Sequence, residues 1–391
     1  MNNTNKILWL FVMLFICRAV AAQQLIQFEK GGFSAALKQS KITHKPIFFM
    51  CYASWCPHCN KMKEQVFTDS AVANFYNQHF VCIEQDMEKG QGITLHEIFK
   101  IKSYPTIIFF DSSGETIYRT TGEFKAQAFI QEGINALTTE KQLPFLRQQF
   151  ESEISNADKC YTYLTALKKG DIDYSPVVKA YFSTQTTNEL LSEKNWKIIA
   201  NGVTDINSRE FQYLLNHQQE FSALTSTERV ERKIYAVVKD LFTSFVNNND
   251  TISYFTHRPA AVNIHQFKID SLIFMCDIKL YENTQSWAAY KKQTLQLTQT
   301  YLWNDYNGLN NIAKVYLTNI VDTTALTQAV NWTNRSLALN EDYGIYLLNA
   351  KLHQKINDTQ GAIEMAKRAK QMALKYGWDF SEADDLLKKI Q

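Results

Sequence analysis

Along the first third of the chain, hydrophobic residues fall in short blocks separated by polar, amphipathic stretches. Lys45-Pro46-Ile47-Phe48-Phe49-Met50-Cys51-Tyr52 is an almost unbroken apolar run, the pattern of a strand buried on both faces. Residues 60–78 are mostly polar, with Met62, Val66, Ala71, Phe75 and Tyr76 as apolar positions, which predicts a helix with one buried face. Phe80-Val81-Cys82-Ile83 and Thr106-Ile107-Ile108-Phe109-Phe110 predict two further strands. The turn signal Asp111-Ser112-Ser113-Gly114 then returns the chain through Thr116-Ile117-Tyr118-Arg119 as a hairpin partner, and a last helix is expected over 124–137. Strand, helix, strand, helix, hairpin, helix is the order of a layered α/β domain.

After Leu143-Pro144 the pattern changes. No Gly occurs between Val203 and Asn307 and no Pro after Pro259, while apolar residues recur at helical spacing, as in Phe211/Leu214/Leu215 and Leu241/Phe242/Phe245/Val246. Residues 145–391 are therefore expected to be almost all α-helix. Ala329-Val330 and Arg335-Ser336 recur 33 residues later as Ala362-Ile363 and Arg368-Ala369. That offset is near the tetratricopeptide period of about 34. Two copies leave two architectures open over 325–391, a tetratricopeptide-like repeat or an ordinary bundle with alanine seams.

The N-terminus follows a different pattern. Lys6 precedes an eleven-residue apolar run from Ile7 to Cys17, followed by Arg18-Ala19-Val20-Ala21-Ala22. This is the layout of a secretory signal peptide cleaved near Ala22. The expected organisation is thus a signal over 1–22, an α/β domain over 23–140 and a helical domain over 145–391, exported to the periplasm or secreted, with no membrane span after cleavage. Of the 391 residues 45% are hydrophobic and 20% charged, so the chain can bury a core. Loss of Lys6 and Arg18 with the signal leaves 39 basic residues against 39 acidic ones. A neutral chain argues against nucleic acid or an anionic membrane as the main partner.

Export changes how the cysteines are read, because disulfides persist outside the cytosol. Besides Cys17 the chain has Cys51, Cys56, Cys59, Cys82, Cys160 and Cys276, and the first four fall within 32 residues. Trp55-Cys56-Pro57-His58-Cys59 stands where a buried strand passes into a helix, and two cysteines at that spacing can close and reopen a disulfide. If the helix starts near Pro57, a residue suited to the first helical position, Cys56 faces free N–H groups and the positive end of the helix dipole. Its thiol pKa is then expected to be depressed, making Cys56 the attacking cysteine and Cys59, one turn inside, the resolving one. His58 adds a donor or a positive charge beside them. The same Cys-x-x-Cys is half of a zinc site, with Cys51, His58 or Cys82 as further ligands, but no second Cys or His pair completes it, and no metal or cofactor is expected.

Taken together, these motifs resemble the thioredoxin fold over residues 25–140. Lys45-Pro46-Ile47-Phe48, Tyr52-Ala53-Ser54-Trp55-Cys56-Pro57-His58-Cys59 and Val66-Phe67-Thr68-Asp69 are similar to the C-terminal domain of the DsbD electron transporter. The Pro57-His58 dipeptide is that of the DsbA disulfide oxidase, and Ser103-Tyr104-Pro105-Thr106-Ile107 is similar to a loop of protein disulfide isomerases. The resemblance implies a cis Tyr104–Pro105 bond facing the cysteines, with Trp55, Tyr104 and Pro105 flanking an extended substrate. Where many relatives carry a buried Asp six residues before the first cysteine, this chain has Met50, which leaves Glu84 or Asp86 to relay the proton of Cys59 through water. Cys51 and Cys82 are expected to be small buried hydrophobes. The resemblance implies an exchange of disulfides with protein substrates and with a separate redox partner, in either direction of electron flow. The alternative is a helical partner-binding module whose redox domain acts only on what it holds.

Overall fold

A computed structural model describes residues 25–390; the expected signal segment lies outside the described residues. The described residues form two compact units that divide between Ser226 and Thr227. In the first, α1 (Gly32–Thr43) leads into β1 (Ile47–Tyr52), α2 (Pro57–Lys61), α3 (Ser70–His79), β2 (Val81–Asp86), α4 (Gln91–Ile98), β3 (Thr106–Phe110), β4 (Thr116–Thr121) and α5 (Ala126–Leu137). The four strands form one sheet in the order β2-β1-β3-β4, with β1 parallel to β2 and antiparallel to β3, and β4 antiparallel to β3. The α/β sandwich expected from the hydrophobic blocks is therefore present, and the Asp111–Gly114 turn closes the hairpin.

β1 is central, and its alternation divides the core. Phe48 and Met50 point to one side with Cys59, Met62, Tyr76, Phe109 and Phe129. Ile47, Phe49 and Cys51 point to the other with Ile83, Ile108 and Phe110. Tyr76 and Phe129 stack at 4.3 Å, and the Tyr76 hydroxyl donates to the Phe129 carbonyl at 2.8 Å, so α3 and α5 are fastened to each other above the sheet. A fully buried aromatic of this kind contributes roughly 1.5–3 kcal/mol.

The helix expected over 60–78 is broken in two. The segment after α2, Met62–Val66, widens into a π-turn that ends with the Phe67 N–H on the Met62 carbonyl at 2.9 Å. Asp69 then restarts the chain as N-cap of α3, accepting from the N–H groups of Ala71 and Val72 at 2.9 and 3.2 Å. Apolar spacing alone did not reveal the break, although Asp69 before Ser70-Ala71 is a cap signal.

The change of pattern at Leu143-Pro144 coincides with the start of α6 (Leu143–Ser152) and falls inside the first unit. α7 (Ala157–Lys169), α8 (Ser175–Ser183), α9 (Glu193–Gly202), α10 (Arg209–Asn216) and α11 (Gln218–Leu224) complete that unit. α7 is tied to the α/β domain by its last residue: Lys169 Nζ reaches both Glu132 oxygens, at 2.7 and 2.8 Å, and the Tyr118 hydroxyl at 2.7 Å. Gly170 makes that approach possible, since a Cβ there would lie 3.0 Å from the Cβ of Arg119.

The second unit is all helical: α12 (Thr227–Asn247), α13 (Thr251–Val262), α14 (Phe267–Asn283), α15 (Trp287–Tyr301), α16 (Tyr306–Asn319), α17 (Thr323–Leu339), α18 (Tyr343–Lys355), α19 (Thr359–Tyr376) and α20 (Ser381–Ile390). Asp305, Asp322, Asp342 and Asp358 cap α16 to α19, each accepting from an N–H three residues on at 3.0–3.1 Å. Ala329 lies on α17, and Ala362, Ala366, Ala369 and Ala373 form one fully buried edge of α19. Among the described residues no helix is long and apolar enough to cross a membrane.

Burial works against the Lys169 ammonium, but Glu132 and Tyr118 outweigh it and hold its pKa above the ordinary lysine value. The bond is therefore fully present at neutral pH and is lost as the pH rises through that raised value. Lys169→Ala leaves the buried Glu132 without its cation and is expected to destabilise the first unit by about 2 kcal/mol, read as a lower urea midpoint at pH 7.

Candidate redox site

β1 delivers the chain to the site. After Tyr52 the backbone turns at Ala53, whose carbonyl accepts from the Cys56 N–H at 3.1 Å. Cys56 is extended (φ −75°, ψ 114°) and stands as N-cap of α2, with Pro57 at the first helical position, as the sequence predicts. Its Sγ accepts from the Cys59 N–H at 3.2 Å, in the manner of a Ser or Asp cap. A donor aimed at sulfur from the positive end of a helix stabilises negative charge there.

The two sulfurs differ in surroundings. Cys56 lies at the margin of the core, 3% exposed, beside Trp55, which is 66% exposed. Cys59 is fully enclosed. Burial first, then the hydrogen bond with Cys56, pushes the Cys59 thiol up to about 12, while a backbone hydrogen bond with Ala53 and, after it, the Lys63 ammonium pull the other way. Lys63 lies 2.9 Å from Glu84 Oε2 and 3.2 Å from the centre of the Tyr52 ring.

His58 turns outward. Its Nδ1 donates to Glu123 Oε2 at 2.9 Å, and Lys61 pairs with the other oxygen of the same carboxylate. The hydrogen bonds from His58 and Lys61 hold the Glu123 carboxyl below the usual range, so this pairing is complete above ordinary carboxylate values and is lost as the pH falls through the depressed one. The Trp55 indole N–H donates to Glu88 Oε2 at 2.7 Å, and the Trp55 ring meets Tyr104 edge-on at 6.1 Å. The Tyr104–Pro105 bond is cis, as the resemblance implies. Thr106, the next residue, pairs with Cys51 across β1 and β3, which sets this loop at the end of the sheet where β1 leads to Cys56.

The structure thus brings together Trp55, Cys56, Pro57, Cys59 and Tyr104, with Pro105 following Tyr104 through the cis bond and His58 on the outer side. Met50 is fully buried, and its partner across β2 is Glu84. Asp86 is engaged elsewhere: burial raises its pKa, but the Glu88 N–H and Lys89 outweigh this and hold it below the ordinary value. Cys51 and Cys82 are buried on opposite faces of the sheet, where burial holds both thiols high. Among the described residues no group of three or more His, Cys, Asp or Glu is placed to hold a metal ion. Sequence reasoning missed Lys63, Glu88 and Glu123. Lys63 is four residues from Cys59 and could have been found by helical spacing. Glu123 lies 65 residues from His58, beyond any local signal.

Residues 33–136 match a family model described as a thioredoxin-like domain. This part of the chain is a thioredoxin-like domain. It is 30% identical over 112 residues to the disulfide bond reductase DsbH of Chlamydia pneumoniae, covering 26% of this chain and 66% of that protein. It is 35% identical over 112 residues to the thiol:disulfide interchange protein DsbD of Actinobacillus pleuropneumoniae, covering 27% of this chain and 19% of that protein. The chain therefore spans less than two thirds of either relative. The crystal structure of the oxidised DsbD C-terminal domain of Neisseria meningitidis is similar at 20% identity, over 28% of this chain and 98% of that one, with a TM-score of 0.25. The helical region lies outside the matched residues.

The difference between the two thiols has a direct readout. Brief treatment of the reduced protein with iodoacetamide at pH 7.5, followed by peptide mass mapping, is expected to modify Cys56 first. Cys51, Cys59 and Cys82 should react only after unfolding. Labelling of Cys59 ahead of Cys56 would reverse their placement.

Proposed function

We propose that this chain is an exported thiol–disulfide oxidoreductase that exchanges disulfides with protein substrates through Cys56 and Cys59. The observation that carries the reading is the 3.2 Å bond from the Cys59 N–H to Cys56 Sγ at the start of α2, with the second thiol enclosed one turn behind. Cys56 as thiolate attacks one sulfur of a substrate disulfide, forming a Cys56–substrate bond and releasing the other substrate sulfur as thiolate. Cys59 then gives up its proton to solvent and attacks Cys56. The Cys56–Cys59 bond forms, the second substrate sulfur leaves, and two electrons have passed to the substrate. Trp55, Tyr104 and Pro105 are in this reading the surface on which an extended substrate lies. Residues 1–22 are the export signal, which places the reaction where disulfides persist.

The reducing direction is the one we favour. Pro57-His58 by itself suggests an oxidant, because positive charge beside the thiolate stabilises the reduced form. Here Glu123 sits against His58 and Lys61 and offsets that charge. The name of the DsbH relative, a disulfide bond reductase, points the same way. The reduction potential of the Cys56–Cys59 couple, measured against glutathione or dithiothreitol buffers, is expected nearer to the about −270 mV of thioredoxin than to the about −120 mV of DsbA.

The roles of the cysteines have their own test. Cys59→Ala should accumulate mixed disulfides on Cys56, visible on non-reducing gels and absent from the double variant with Cys56→Ser. Failure to trap any adduct would remove the proposed reaction.

A further inference from the structure

Resting on the thiol–disulfide reading above, the geometry points to the Lys63–Glu84 ion pair as the device that sets how readily Cys59 ionises, with the two charges acting in opposite senses. Cys59 must become a thiolate to resolve the mixed disulfide, yet it is fully enclosed and its thiol is pushed up to about 12. On the sheet beneath it, the neighbour from β1 is Met50, which carries no charge. Lys63 stands four residues on, within the π-turn that continues α2, so the two side chains share a face of the helical run. Its ammonium is clamped between the Tyr52 ring at 3.2 Å and Glu84 Oε2 at 2.9 Å, and Tyr52 packs against the same cluster as Cys59. Glu84 faces that cluster too, because it pairs in register with Met50 across the parallel strands.

The remaining groups around Cys59 are otherwise committed. Cys56 is its partner in the reaction. Tyr104, from the loop before β3, is kept in its neutral form by burial first and then by Glu88, Asp86 and the neighbouring thiols. His58 and Lys61 pair with Glu123, and Asp86 pairs with Lys89. The Ala53 backbone favours the Cys59 thiolate through a fixed hydrogen bond, Lys63 is left as the side-chain cation that does so, and Glu84 holds that cation in place while cancelling part of its field. Both are positioning residues and neither touches the substrate. On resolution the Cys59 proton passes to solvent, the Cys56–Cys59 bond forms, and the bond from Cys56 to the substrate breaks.

The opposed signs are testable with the full-length reduced protein and 5,5′-dithiobis(2-nitrobenzoate), which reports each step at 412 nm. Attack by Cys56 releases the first thionitrobenzoate, and expulsion by Cys59 releases the second. The ratio of second to first rate isolates the resolving step from general charge effects. Lys63→Met is expected to move the pH profile of the second phase up by roughly one unit, lowering that ratio about tenfold at pH 7, with Lys63→Arg restoring it. Glu84→Gln is expected to move the profile down and raise the ratio. Circular dichroism and melting temperature check that each variant folds, with Lys63→Gln as the substitute should Lys63→Met fail. A purely structural role would not shift the two profiles in opposite directions. An unchanged ratio in both variants overturns the inference, as does a slower second phase in Glu84→Gln, which would instead make Glu84 the proton acceptor. A wild type that releases one equivalent only overturns the underlying thiol–disulfide reading, and this inference with it.

Discussion

β1 is hydrogen-bonded along both edges, to β2 and to β3, and its two faces are packed by separate aromatic clusters. A strand held from four sides has no freedom to shift, so the turn that leaves it at Ala53 has a fixed starting point and direction. That constraint places Cys56 at the end of α2, sets its sulfur before the Cys59 N–H, and carries Cys59 into the core behind it. Reactive geometry follows from the burial of Phe48 and Phe49 several residues upstream. Chemistry that needs two sulfurs in register is best mounted on the least mobile part of a fold.

From that anchor the charges divide into two groups. On the outer side Glu123 gathers His58 and Lys61, and on the sheet side Glu84 meets Lys63. Each acid is supplied by an element distant in sequence, the segment after β4 in one case and β2 in the other. The short helix and the π-turn that continues it therefore present their basic residues to two separate carboxylates, and the two sulfurs at the start of this run lie in different electrostatic surroundings.

Much of this was legible in the chain. The block of apolar residues from Ile47 to Tyr52 identified the central strand, and Pro57 directly after Cys56 identified the start of the helix, because both signals are local and strong. The interruption after Met62 was not legible: Met62 and Val66 keep helical spacing through the π-turn, so the pattern passes over a defect that lies in the backbone bonds. α1 was overlooked because only Ala36 and Ser40 along it are fully buried, too few to show a period. In the second unit the aspartates at 305, 322, 342 and 358 mark helix starts more sharply than the alanines do, since a cap is one side chain meeting one N–H, whereas an alanine seam needs a partner the sequence does not name. Glu84 was named from the sequence as an acid for Cys59, but its pairing with Lys63, like that of Glu123 with His58, required tertiary structure, because no periodicity links positions 21 and 65 residues apart.

Lys169 has a practical consequence for anyone isolating the redox domain. A fragment ending where the α/β elements end, after α5, would carry Glu132 and Tyr118 into water without the cation they surround, and would uncover the flank of β4 on which Gly170 rests. Such a fragment would differ from the parent in surface charge and in solubility. Its behaviour in solution would report on the missing helix as much as on the redox couple. A boundary beyond α7 keeps that surface as the full chain has it.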